Sequence, residues 1–161
     1  MDMAQRKQIE ELYMEMYDKL MAYACSCLAS EALAEEAVQE TFHIACKKSM
    51  QLCCSSNPQG WLVLTLKNTI RNMQSHRAAM KKLVERYMLT RISECSYTED
   101  KIQFNILYED VTEMDEFKLL SEMVIEGKSH QEMAEARGIT VSACKKRVQR
   151  AKEALQKKIN D

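Results

Sequence analysis

Only three glycines and one proline occur among the 161 residues. Turn-makers this scarce exclude a sandwich or barrel of many short strands and predict long helices with few connections. Aromatics are sparse at 6%, whereas methionine, with 12 copies, is abundant, a balance suited to helix packing. Long apolar runs are also missing. The longest purely apolar stretch is Leu20–Cys25, with Trp61–Leu64 another, both too short to span a bilayer, so no membrane association is expected. The opening residues, Met1 to Arg6, lack the apolar stretch of a signal peptide, and the expected compartment is the cytoplasm. No C-x-x-C occurs, and His43, His76 and His130 have no paired ligand spacing, so neither a metal nor another cofactor is expected. The seven cysteines, an odd number, read as small apolar fillers in a reducing compartment. No nucleophile–base pair, paired carboxylate site or glycine-rich phosphate loop is visible, which argues against an enzyme. What the chain does have is 46% apolar and 29% charged residues, enough for a packed core in one domain or two small ones.

The net charge of −1 conceals a segregated distribution. Residues 1–48 carry −4, residues 49–92 carry +6, residues 93–126 carry −8 and residues 127–161 carry +5. Each Lys or Arg near a phosphate releases condensed counterions, so the two basic blocks are candidate polyanion footprints. The acidic block between them cannot lie along the same polyanion and should face solvent or a basic protein surface.

Apolar spacing predicts the helices. Ile9, Leu12, Tyr13, Met16, Leu20, Ala24, Cys27 and Leu28 mark an amphipathic helix over residues 5–28. Ser30 is a candidate N-cap for the next helix, whose stripe is Leu33, Ala34, Ala37, Val38, Thr41, Ile44 and Ala45. Residues 49–59 read as a loop. A third helix runs from about Gln59 to Met80 or beyond, burying Leu62, Leu66, Thr69, Ile70 and Met73. Its opposite face gathers Asn68, Arg71, Asn72 and Ser75: amides, a guanidinium and a hydroxyl, with no carboxylate, a set suited to bases and phosphates. Residues 87–116 read as a linker with a little local helix.

The last third predicts three helices: Phe117–Ile125, Ser129–Arg137 with Met133 and Ala134 inward, and a longer one from Val141 to about Lys157. Ala134 lets two helices approach, Gly138 permits a left-handed turn, and Thr140 can cap the longer helix. Val141, Cys144, Val148, Ala151 and Leu155 form its buried stripe, and Ser142, Lys145, Lys146, Gln149 and Arg150 face away. This is helix-turn-helix logic, with a basic outer face that fits a major groove.

Three segments resemble the extracytoplasmic-function (ECF) sigma factors of bacterial RNA polymerase. Glu126–Leu155 resembles their C-terminal helix-turn-helix, Ala34–Phe42 the acidic helix of their N-terminal domain, and Pro58–Ala78 their promoter-melting helix. The resemblance implies an all-α protein of two small helical domains joined by an acidic linker: residues 1–86, a linker over 87–111, and a helix-turn-helix domain over 112–161. It implies core RNA polymerase and promoter DNA as partners, and an anti-sigma inhibitor as a further one. By position, Glu35, Glu36, Gln39, Glu40, Thr41 and Phe42 would lie at the polymerase clamp. Asn68, Arg71, Asn72, Ser75, His76 and Arg77 would face the minus-ten element, with the loop 49–59 helping to hold a flipped base. Ser142, Lys145, Lys146, Gln149 and Arg150 would read the minus-thirty-five duplex. The acidic linker would suit a basic nucleic-acid channel. Arg137 and Cys144 depart from the family, standing where aliphatics are usual.

Three other readings fit parts of the sequence. A stand-alone helix-turn-helix regulator would bind duplex tightly without polymerase, but needs a dimer face or effector pocket. A thiol-based redox or metal protein would use Cys53 and Cys54. A helical adaptor would leave the basic face of residues 142–150 without a purpose.

Overall fold

The structure is a computed structural model, and it describes residues 2–95 and 115–160. All regular structure among these residues is helical, as the scarcity of turn-makers predicts. The helices are α1 (Met3–Cys27), α2 (Glu31–Lys47), α3 (Ser49–Cys53), α4 (Pro58–Cys95), α5 (Asp115–Val124), α6 (His130–Ala136) and α7 (Val141–Asn160).

Short polar side chains start most of them. Asp2 accepts from the Gln5 amide at 2.8 Å while the Gln5 side chain accepts from the Asp2 amide, a reciprocal cap. Ser30 caps α2, as predicted, accepting from the Leu33 amide at 3.3 Å. Asn57 caps α4, accepting from the Gly60 amide at 2.9 Å, with Pro58 in the first turn, where its missing N–H costs nothing. Gly60 is required by this cap: a Cβ there would sit 2.6 Å from the Asn57 amide nitrogen.

Two compact units divide the chain, residues 1–75 and 76–161. In the first, α1 packs on α2 and α3, and Leu20, Val38, Leu52, Leu62 and Leu66 are among the fully buried side chains. Residues 49–53 are a one-turn helix where the sequence reading had loop; Leu52 is completely buried and pins it to this core.

The second unit begins inside α4. That helix continues to Cys95, and Met80, Val84 and Tyr87 are buried in one core with Phe117, Leu120, Met123, Val148 and Leu155. The division therefore falls at Ser75/His76 rather than at residue 86, because a helix segment that looks like the end of one domain buries its apolar stripe in the next. Residues 87–95 are helical rather than linker. The rest of the expected acidic linker, 96–111, lies outside the described residues.

Candidate nucleic-acid interface

The second unit holds the helix-turn-helix. Ser129 accepts from the Glu132 amide at 3.2 Å, and the Glu132 carboxylate accepts from the Ser129 amide at 2.8 Å, so α6 starts with a capping box. Met133 and Ala134 are buried, as predicted. Gly138 adopts φ 61, the left-handed value that the turn needs and that disfavours any residue with a Cβ. Thr140 caps α7, accepting from the Ala143 amide at 3.1 Å.

Cys144, Val148, Ala151 and Leu155 are buried beneath α7. Val141, expected in that stripe, is 37% exposed because it opens the helix, before the first turn meets the core. Ser142, Lys145, Lys146, Gln149 and Arg150 are all exposed, and Arg147, which the sequence reading passed over, is exposed with them. Glu153 is the acid on this stretch, and it accepts from Gln149 Nε2 at 2.7 Å. The outer surface of α7 is therefore strongly cationic, as major-groove entry requires.

Arg137 locks the angle of the two preceding helices. Its guanidinium donates to both oxygens of Glu122 on α5, at 2.9 and 3.0 Å, and to the Met133 carbonyl at 3.2 Å. This hydrogen bond, first among several influences, holds the Glu122 carboxyl below the usual carboxylate range; burial opposes it. An ion pair thus does the joining that an aliphatic contact would do at this position.

In the first unit, Asn68, Arg71, Asn72 and Ser75 are exposed along α4, opposite buried Leu62, Leu66, Thr69 and Ile70. A cleft of about 280 Å³ opens beside them, lined by Lys48, Trp61, Asn68, Thr69 and Asn72 among others. Its polar and aromatic chemistry includes one indole, one ammonium and three amides (Gln51, Asn68 and Asn72), which suits stacking and edge recognition of an unpaired base. The Thr69 hydroxyl is buried beneath this lining with no hydrogen-bond partner. Lys48 and Trp61 were missed as site residues. A signal for Trp61 existed, since positions 61, 65, 68 and 72 fall on one helical stripe.

His76 and Arg77, expected on the same DNA face, fall instead in the second unit. The His76 imidazole is pushed below its ordinary range by desolvation, with Lys152, His130 and Arg77 adding to the effect. Arg77 is half-buried and donates to the carbonyls of Met123 and Lys128.

The expected polymerase face of α2 is also divided. Glu35, Glu36, Gln39 and Glu40 lie toward solvent, with Gln39 donating to Glu35 at 3.2 Å. Thr41 and Phe42 do not. Thr41 is completely buried and donates to the Ala37 carbonyl at 2.8 Å; Phe42 is 7% exposed and packs edge-on against Tyr13 at 4.8 Å. Positions 34, 37, 38, 41, 42 and 45 form the stripe of a helix facing a core, so these two residues can serve a surface only by shaping the helix beneath it.

Among the described residues the cysteines are free, with no disulfide between them. Cys25, Cys27, Cys46 and Cys54 are exposed and unpaired, and burial pushes the Cys53 thiol up, with Cys54 and Asp2 adding to it, which weakens it as a nucleophile. Among the described residues no helix is long and apolar enough to cross a membrane.

Residues 116–155 match the family described as Sigma-70, region 4. The second unit thus carries a segment similar to sigma-70 region 4. The match covers most of α5, all of α6, the turn at Gly138, and α7 through Leu155, and it bears out the helix-turn-helix resemblance read in the last third of the sequence. No curated protein matches the chain. It is similar to a chain in the solved RsbN–BldN complex, at 19% identity over 96% of this chain and 95% of that one; the TM-score of 0.40 is too low to carry an argument.

Proposed function

We propose that this chain belongs to the sigma-70 family and acts as an ECF-type sigma factor: it carries core RNA polymerase to specific promoters and starts transcription there. The observation that carries the reading is the exposed, basic outer face of α7 in a sigma-70 region 4 domain. Ser142, Lys145, Lys146, Gln149 and Arg150 read the minus-thirty-five duplex. Lysine and arginine neutralise phosphates, and a bidentate side chain discriminates a base pair by about 1–3 kcal/mol.

Asn68, Arg71, Asn72 and Ser75 meet the minus-ten element, with His76 at the end of the row. The cleft beside Trp61 receives a base drawn out of the stack. Extraction costs a few kcal/mol, which stacking on the indole and hydrogen bonds from Asn68 and Asn72 offset. Glu35, Glu36, Gln39 and Glu40 dock on a basic surface of the polymerase clamp, giving steering and register. The protein works in the cytoplasm, on the nucleoid when bound to polymerase, and the family resemblance adds an anti-sigma inhibitor as a partner. Its action is binding and strand opening, so no catalytic residue is assigned.

The test is run-off transcription by purified chain and core polymerase on DNA from upstream of its own gene. A discrete transcript that needs both components is expected. Tight duplex binding by the chain alone, with no transcript, would instead identify a stand-alone regulator.

A further inference from the structure

One carboxylate stands in the middle of the cationic face of α7. Ser142, Lys146, Gln149 and Glu153 recur every three or four residues and lie opposite the buried row Cys144, Val148, Ala151 and Leu155. All four are exposed. A negative charge on a surface that meets phosphates repels them, so it weakens binding unless it has another use there. Cations stand near it along the helix, Arg150 three residues before and Lys157 four residues after. Glu153 Oε1 nevertheless accepts from Gln149 Nε2, at 2.7 Å.

This bond sets which end of the amide points where. A carboxylate only accepts, and in a carboxamide only the nitrogen donates, so the nitrogen end must face Glu153. One of its two hydrogens is then occupied. What Gln149 has left for a base is one acceptor, Oε1, and one donor, the second hydrogen of Nε2. That edge matches adenine in the major groove, which offers N6–H as a donor and N7 as an acceptor. It mismatches guanine, whose O6 and N7 both accept, because Oε1 then faces another oxygen. An untethered glutamine is free to turn its nitrogen toward guanine.

We propose that Glu153 is a positioning residue for minus-thirty-five recognition: it orients the Gln149 carboxamide so that α7 selects adenine over guanine at one base pair. The proposal rests on the sigma-factor reading above and deepens it by naming a determinant of its specificity. Such a pair is weak on an exposed helix and strengthens when entry into the groove takes water from both groups.

The experiment uses the full chain with core polymerase, native and as Glu153→Ala, Gln149→Ala and the double variant. The templates are DNA from upstream of its own gene, with each base pair of the minus-thirty-five element replaced in turn by the other three. Run-off transcription at limiting chain gives, at each position, the ratio of output with adenine to output with guanine. In the native chain one position should favour adenine by about tenfold, and Gln149→Ala should level it. Glu153→Ala should cut that ratio about three- to fivefold and leave the other positions alone, while output from every template rises as the repulsion is lost. In the Gln149→Ala background the same change should move no ratio. A Glu153→Ala chain that raises all outputs alike, with every ratio intact, overturns the proposal and leaves a simple charge effect. A ratio that shifts equally without Gln149 also overturns it, since Glu153 then meets the base itself. So does a Gln149→Ala chain whose lost preference is for a base other than adenine. Should Glu153→Ala fail to fold, Glu153→Gln, which keeps the length but weakens the acceptor, should lower the same ratio by less, and an unmoved ratio overturns the proposal. A native chain that drives no transcript refutes the sigma-factor reading itself. Selection of duplexes from a randomised library by the chain alone then yields the same ratio, and its indifference to Glu153→Ala overturns the proposal separately.

Discussion

The Arg137–Glu122 pair offers a measurable account of how this helix-turn-helix holds its angle. Side-chain exposures of 24% and 16% place the pair between surface and interior. Removing one partner of a buried pair costs about 3–5 kcal/mol, whereas an exposed pair contributes about 0–1 kcal/mol. The bidentate geometry and the additional bond to the Met133 carbonyl place Arg137→Ala at about 2 kcal/mol. In a domain of this size that lowers the midpoint of thermal unfolding by about 10 °C. Glu122→Leu alone should cost a similar amount, because it strands the guanidinium. The double variant Glu122→Leu/Arg137→Leu should regain most of the loss, since an apolar pair of similar volume removes both desolvation penalties. Chemical denaturation of the native chain, Glu122→Leu, Arg137→Leu (expected, like Arg137→Ala, to cost about 2 kcal/mol) and the double variant closes a double-mutant cycle, with an expected coupling of about 3 kcal/mol. The pH dependence has a definite sign. Glu122 titrates below its ordinary value of about 4.5 in the folded state, chiefly because Arg137 bonds its charged form. Its contribution is therefore complete above that value and is lost as the pH falls through the lower folded one, and the coupling should fade in the same window. A coupling under about 0.3 kcal/mol at neutral pH, or one that persists unchanged in strong acid, would refute the reasoning.

Three further outcomes follow from the site. Lys146→Glu, on an exposed position of α7, should abolish promoter-directed transcription while leaving folding and polymerase association intact; a surviving transcript means that α7 is not the reading helix. Thr69→Val removes a buried hydroxyl that has no partner, so stability should be unchanged or higher by about 1 kcal/mol in chemical denaturation. A loss of about 1 kcal/mol or more would contradict the unpartnered state of that hydroxyl. Phe42→Ala should cost about 3–5 kcal/mol of stability in the first unit, whereas Gln39→Ala should leave stability unchanged and weaken polymerase capture in a pull-down. A Phe42→Ala chain that is fully stable yet fails to bind polymerase would contradict the burial argument.

Much of the helical layout was legible in the residues themselves. The stripe from Leu33 to Ala45, the cap at Ser30, the turn at Gly138 and the buried row from Cys144 to Leu155 all follow from a 3.6-residue period and from the few residues able to cap or turn a chain. The same period also explains the errors. Phe42 sits at the edge of an otherwise acidic motif and looks available to a partner, but Tyr13 of α1 covers it, and that pairing joins residues far apart in sequence. The short helix at Ser49–Cys53 is too brief to declare a period and forms because Leu52 enters a core assembled from other helices.

Local pattern alone thus determined that the chain is helical, where its helices begin, which of their faces are polar, and that the outer surface of α7 is basic, because periodicity, capping and charge are properties of neighbouring residues. Only the tertiary structure decided which core claims the far end of α4, that Arg77 closes α5 instead of lying bare, and that Glu122 and Arg137 meet. Those contacts join groups 15 to 46 residues apart. Such encounters depend on how packed helices bring their surfaces together, and no short-range pattern encodes that.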